Sequence, residues 1–195
     1  MDHTATEGTA ALKPGERFTL EQWRNWPEGE RWELIGGVAY SMCAAPKVPH
    51  QRLAGSMYVE LYTFLKGKPC EALLSPVDVY LPGAVEDSTD TVVEPDVIVV
   101  CDPSKVQDDG VHGAPDLVIE VGSESTLYKD MTRKKALYER SGVREYWIVN
   151  PDSGSVLRYV LVDGRYSPAT EILPGEPVHS AVLEGFSWTF TPAGA

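Results

Sequence analysis

The chain has 195 residues, 43% apolar and 24% charged, with a net charge of −12. These values suit one soluble domain with a core of its own. They exclude a protein whose main work is to coat nucleic acid, since such proteins are usually basic. No run approaches the roughly 18 apolar residues that span a bilayer. The polar, small-residue start shows no basic segment followed by an apolar one, so no secretory signal is expected. Cys43, Cys70 and Cys101 are far apart and odd in number. That pattern argues against a disulfide framework or a cysteine zinc site and fits a reducing, cytoplasmic setting.

Residues 1–17 read as a disordered tail, and 18–195 as a single domain. "FTLEQWRNW" (18–26) reads as a short helix capped by Thr19. "RWELIGGVAYSM" (31–42) reads as a hairpin turning at Gly36-Gly37. Over 49–67, His50, Leu53, Met57, Leu61 and Phe64 make one helical stripe that Gly67 ends. "CEALLSPVDVYLP" (70–82) is expected as a strand bent at Pro76. Residues 84–90 read as a polar loop, "TVVEPDVIVV" (91–100) as a strand, and 101–114 as a loop. "DDG" (108–110) lacks the remaining spacing of a calcium loop. "PDLVIEV" (115–121), a helix over 125–142 capped by Ser125 or Thr126 and Gly142, and "REYWIVN" (144–150) form a strand–helix–strand unit with parallel strands. The tail reads as a hairpin at Asp163-Gly164 and a last strand within 184–190. The fold class expected is α/β of mixed α+β type: a mixed sheet flanked by helices, with hairpins added at both ends. The tryptophans read as core or interface anchors rather than stacking platforms for bases.

Within 115–121 both faces are partly apolar, which marks a central strand. A carboxylate there is costly unless paired or bound to a cation. Asp116 and Glu120 share a face with Val118. Asp96 leads the other interior-looking strand, so Asp96 and Glu120 can meet, and two such carboxylates call for a cation. Oxygen ligands suit Mg²⁺ or Mn²⁺ rather than zinc. On the helix, Leu127, Met131, Lys134 and Tyr138 form a core-facing stripe. Lys134 therefore reaches the sheet edge where Glu120 emerges, unless it simply pairs with Asp130 one turn back.

The strings "WELIGG", "EPDVIVV", "PDLVIEVGSEST" and "DMTRKKALYERSGVREYWIVNP" resemble the Uma-type family of restriction endonucleases, itself similar to the PD-(D/E)XK nuclease superfamily. The resemblance covers roughly 18–165. It implies a restriction-endonuclease-like fold and a Mg²⁺- or Mn²⁺-dependent endonuclease acting on DNA. Asp96 and Glu120 match the metal-binding acids, and Glu33 a glutamate that completes the site as a further metal ligand, direct or through water. The superfamily's lysine position, two residues after the second acid, is Gly122 here, and Lys134 matches the helical lysine that replaces it. Asp116, Asp130 and Tyr138 fall on supporting motif positions, and His50 on one where the family often has histidine. "EVGSES" and "VNP" depart from the family's usual "EVLSPS" and "VDP". Two rivals stand beside this reading: a nuclease fold used for binding or assembly, which the acidic charge favours, and a hydrolase of small phosphoesters. A homodimer, with Trp188 and the C-terminal hairpin at its interface, is expected as the commonest soluble assembly.

Overall fold

The structure, a computed structural model, describes residues 16–26, 31–42, 47–83, 90–122 and 124–190, without the side chains of 124–131. The expectations for 1–15, for most of the polar loop and for Cys43 lie outside these residues. Arg17, counted with the tail above, makes a β-bridge to Val38.

Helix α1 (Leu20–Arg24) starts at a capping box: Thr19 Oγ1 accepts from Gln22 N–H, and Gln22 Oε1 accepts from Thr19 N–H. Strands β1 (Trp32–Ile35) and β2 (Val38–Ser41) form the expected hairpin. Gly36 and Gly37 take φ of 57° and 79°, the left-handed pair that a two-residue turn with native twist requires. Helix α2 (Val48–Leu65) buries Leu53, Met57 and Leu61 along the expected stripe.

The two long runs 70–82 and 91–100 are not single strands. The first splits into β3 (Glu71–Leu74) and β4 (Val79–Tyr80), and the second into β5 (Val92–Val93) and β6 (Val97–Val100). Pro76 and Pro95 stand in the gaps. Proline cannot donate to a ladder, and at each the chain passes between two sheets. The expected loop 101–114 carries a short hairpin, β7 (Val106–Gln107) and β8 (Gly110–His112).

Strand β9 (Leu117–Val121), helix α3 (Glu124–Ser141) and strand β10 (Glu145–Val149) form the strand–helix–strand unit, with β9 and β10 parallel. Ser125 and Thr126, expected as caps, fall inside α3. The chain closes with β11 (Val156–Val162), β12 (Arg165–Tyr166), β13 (Thr170–Ile172), β14 (Pro177–His179) and β15 (Ser187–Thr189).

The central sheet runs β12-β11-β10-β9-β6-β3, with β13 also on β11; the second runs β2-β1-β5-β4-β8-β7; β14 and β15 pair alone. Alternation gives β9 two apolar faces. Leu117, Ile119 and Val121 pack with α2 and with Leu183, Phe186 and Trp188 from the C-terminal segment. Val118 packs on the opposite side with Leu137 and Tyr138 of α3 and with Val79, Leu81 and Val93 of the second sheet. Trp188 is thus buried in the core of its own chain, the first of the two places expected for the tryptophans.

The cysteine expectation is also corrected. Cys70 and Cys101 form a disulfide, because the β3–β6 register that sets Glu71 against Val100 sets these two opposite each other one step further on. Closing a loop with a sequence separation of 31 contributes about 2–4 kcal/mol in the chain-entropy account. Reduction, or Cys101→Ser, is expected to lower the urea midpoint accordingly without moving the far end of β6. An unchanged midpoint in protein whose mass shows the bond intact before reduction counts against this assignment.

Candidate active site

The antiparallel register Val97↔Ile119 and Ile98↔Val118 brings Asp96 beside Glu120 at the next step. Opposed residues share a face, with Cβ atoms about 4.5–5.5 Å apart. Asp96 Oδ2 accepts from Val121 N–H at 2.7 Å and meets His50 Nε2, from the first turn of α2, at 3.1 Å. Glu120 Oε1 accepts from Lys134 Nζ at 3.0 Å and from Tyr138 O–H at 2.8 Å. Lys134 and Tyr138 lie four apart on α3 and so face the sheet together. Lys134 Nζ also meets Glu33 Oε1 of β1 at 2.7 Å, and Glu94 N–H donates to that same oxygen at 3.1 Å.

Six expected residues therefore converge: Glu33, His50, Asp96, Glu120, Lys134 and Tyr138. Asp116 does not join them. It stands at the other end of β9, where Arg144 Nη1 donates to it at 3.0 Å and Cys101 N–H at 2.8 Å. Strand alternation gives it the same face as Glu120, but it lies at the entrance of β9 and Glu120 near the exit, so the supporting place implied by the resemblance is not in this cluster. The side chain of Asp130 lies outside the described residues. The N–H groups of Glu94 and Val121 went unnoticed in the sequence, because backbone donors leave no residue signal and only the register reveals them.

Burial works against the Lys134 charge, but Glu120 and Glu33 more than offset it and hold the ammonium above the ordinary lysine range. Burial raises Tyr138 strongly, and Glu120 adds to the rise, so its hydroxyl remains a donor. The hydrogen bond to Asp96 raises His50 against the opposing effect of burial. Burial, with the charges of Asp96 and Glu33, pushes Glu120 up to about 7 despite the pull of Lys134. An unfolded chain releases that proton near 4.5, the ordinary value. The stability linked to Glu120 is therefore complete below that pH and lost as pH rises through about 7. Without metal, the wild type is expected to lose stability across this window relative to Glu120→Gln, read by urea denaturation in EDTA. Parallel curves for the two proteins would overturn this.

The donor set fits a hard divalent cation. Two carboxylates, Glu33 and Glu120, hold Lys134, with Asp96 beside Glu120; among the described residues the side-chain hydrogen bonds of Asp96 fall on Oδ2 and those of Glu120 on Oε1. His50 Nδ1 is buried and has no partner among the described residues. Among those residues no three acidic, histidine or cysteine side chains form a ready cage.

The Uma2 family model, described as "Putative restriction endonuclease", matches residues 19–191. The chain belongs to the Uma2 family. The match spans every residue of the cluster. Among solved structures, "a putative nuclease belonging to DUF820" from Anabaena variabilis ATCC 29413 matches with a TM-score of 0.70 and 18% identity, over 88% of this chain and 94% of that one. At that identity the likeness establishes the fold, which is the expected restriction-endonuclease-like one. No curated protein matches the chain. Among the described residues of this Uma2 chain, no helix is long and apolar enough to cross a membrane.

Proposed function

We propose that this Uma2 chain is a Mg²⁺- or Mn²⁺-dependent endonuclease that hydrolyses phosphodiester bonds in DNA. The observation that carries the reading is the buried Lys134 ammonium, held between Glu33 and Glu120, with Asp96 one strand away. Asp96 and Glu120 are the residues to hold the cation. Bound there, a divalent ion would polarise a phosphate oxygen and lower the pKa of a coordinated water.

The chain's own groups have distinct tasks. Lys134 keeps its proton, so it serves as a fixed positive charge for the phosphate oxygens rather than as a base. Glu33 positions Lys134 through its salt bridge, a role the geometry favours over direct metal ligation. Tyr138 fixes the Glu120 carboxylate by donating to Oε1, and His50 does the same for Asp96.

The test is incubation of supercoiled plasmid with purified protein in Mg²⁺, Mn²⁺ or EDTA, beside Glu120→Ala and Lys134→Ala. Metal-dependent nicking by the wild type and by neither variant is expected. Equal nicking by all three would sink the assignment. Metal binding without cleavage of any nucleic acid would favour a binding or assembly role, the reading that a net charge of −12 supports.

A further inference from the structure

We propose that Arg133, stacked on Tyr40, grips the DNA backbone at a phosphate next to the one that Lys134 meets. This inference rests on the endonuclease reading and adds a substrate-binding group to it.

Helix α3 carries three consecutive cations, and each residue turns about 100° from the last. Lys134 enters the site. Lys135 turns away, with Nζ 4.8 Å from the centroid of the Tyr159 ring. Arg133 turns the other way, and its guanidinium carbon lies 4.0 Å from the Tyr40 ring centroid. Tyr40 is the antiparallel partner of Glu33. Directly opposed residues share a face, so the Arg133–Tyr40 stack borders the Glu33–Lys134 pair.

Two features distinguish this stack from ordinary surface charge. Arg24, Arg31, Arg144 and Arg165 each hold a carboxylate. Arg133 is exposed, and among the described residues no carboxylate pairs with it. It stacks on the Tyr40 ring, which engages the flat face of the guanidinium. Among the described residues no carboxylate occupies the in-plane N–H donors, and their fork matches a phosphate bidentately. The aromatic contact thus fixes the orientation without competing for the ligand. Such a group is needed here: a polyanion approaching Glu33, Asp96 and Glu120 meets repulsion, and a guanidinium at the border offsets it before contact.

The experiment is fluorescence anisotropy of a short labelled duplex over a range of salt, with Ca²⁺ replacing Mg²⁺ to supply the charge. The proteins are wild type, Arg133→Ala, Tyr40→Ala and Tyr40→Phe. Arg133→Ala is expected to weaken binding about tenfold. It should also flatten the slope of log affinity against log salt by about 0.9, the loss of one phosphate contact. Tyr40→Phe should bind as wild type does, because the ring remains. Tyr40→Ala should weaken binding while keeping the slope, because the charge remains. In Mg²⁺, Arg133→Ala should raise KM and leave kcat near wild type. If wild type binds DNA and Arg133→Ala matches it in affinity and slope, the inference falls while the endonuclease reading stands. If wild type binds no DNA under any of these conditions, both fall.

Discussion

Lys134→Ala is expected to slow plasmid cleavage by about 10²–10³-fold at saturating DNA, the usual consequence of deleting one preorganised donor to a developing charge. The side chain is only 13% exposed and contacts two carboxylates, at 2.7 and 3.0 Å. Its loss also leaves Glu33 and Glu120 facing each other without a counter-charge. Removing one partner from a buried pair costs about 3–5 kcal/mol. The two effects can be separated. A double variant, Glu33→Gln with Lys134→Met, removes one of the two stranded carboxylates along with the lysine, and so their mutual repulsion. It is expected to recover much of the stability in a urea titration while cleavage stays low. Recovery of cleavage with stability would reduce Lys134 to a structural ion pair. Cleavage by Lys134→Ala within threefold of wild type would remove it from the chemistry altogether.

The second large effect lies away from the site. Glu145→Ala is expected to destabilise the fold by about 3–5 kcal/mol, since it strands several buried donors at once. Glu145 is fully buried in β10. Its Oε1 accepts from Trp147 Nε1 at 2.8 Å. Its Oε2 accepts from Ser180 Oγ at 2.6 Å, Ala181 N–H at 2.9 Å and Val182 N–H at 3.2 Å. These bonds tie the central sheet to the segment that delivers Leu183, Phe186 and Trp188 to the core. Glu145→Gln keeps the shape but replaces one acceptor oxygen with a donor, so an intermediate loss is expected. The measurement is urea denaturation followed by tryptophan fluorescence. A loss under about 1 kcal/mol for the alanine variant would mean that water replaces the carboxylate without penalty.

Periodicity made much of the site legible. The alternation in "PDLVIEV" and the helical stripe through Lys134 and Tyr138 bring Glu120, Lys134 and Tyr138 together from local rules alone. Asp96 needed one further inference, that two interior strands are neighbours, and the antiparallel register supplies it. Glu33 and His50 came only from the family resemblance, since nothing local in "WELIGG" or "PHQRL" points across the molecule. Asp116 was joined to the site through the resemblance, and four residues of extended strand keep it away from Glu120, with Arg144 and the Cys101 N–H as its partners instead. The Cys70–Cys101 bond was missed because three scattered cysteines give no pairing until the β3–β6 register exists. Pro76 and Pro95 were read as a bend and as part of a strand. A change of sheet is a tertiary event, and local sequence marks only the break. Glu145 carries no mark in "REYWIVN", because most of its partners arrive from residues 180–182.

The placement of Asp96 directly after the crossing at Pro95 has a consequence for how the chain matures. Glu33 belongs to the second sheet and Glu120 to the central one, while Lys134 ties them across a separation of about a hundred residues. Contacts that distant in sequence close slowly, after local structure has formed. A half-folded chain can therefore bring Glu120, Lys134 and Tyr138 together and still lack Glu33, which arrives with the second sheet. Competence arises in one step, when the two sheets dock, so recovery of activity on refolding should trail the recovery of helix and strand signal. The salt bridge acts as a check on completed assembly.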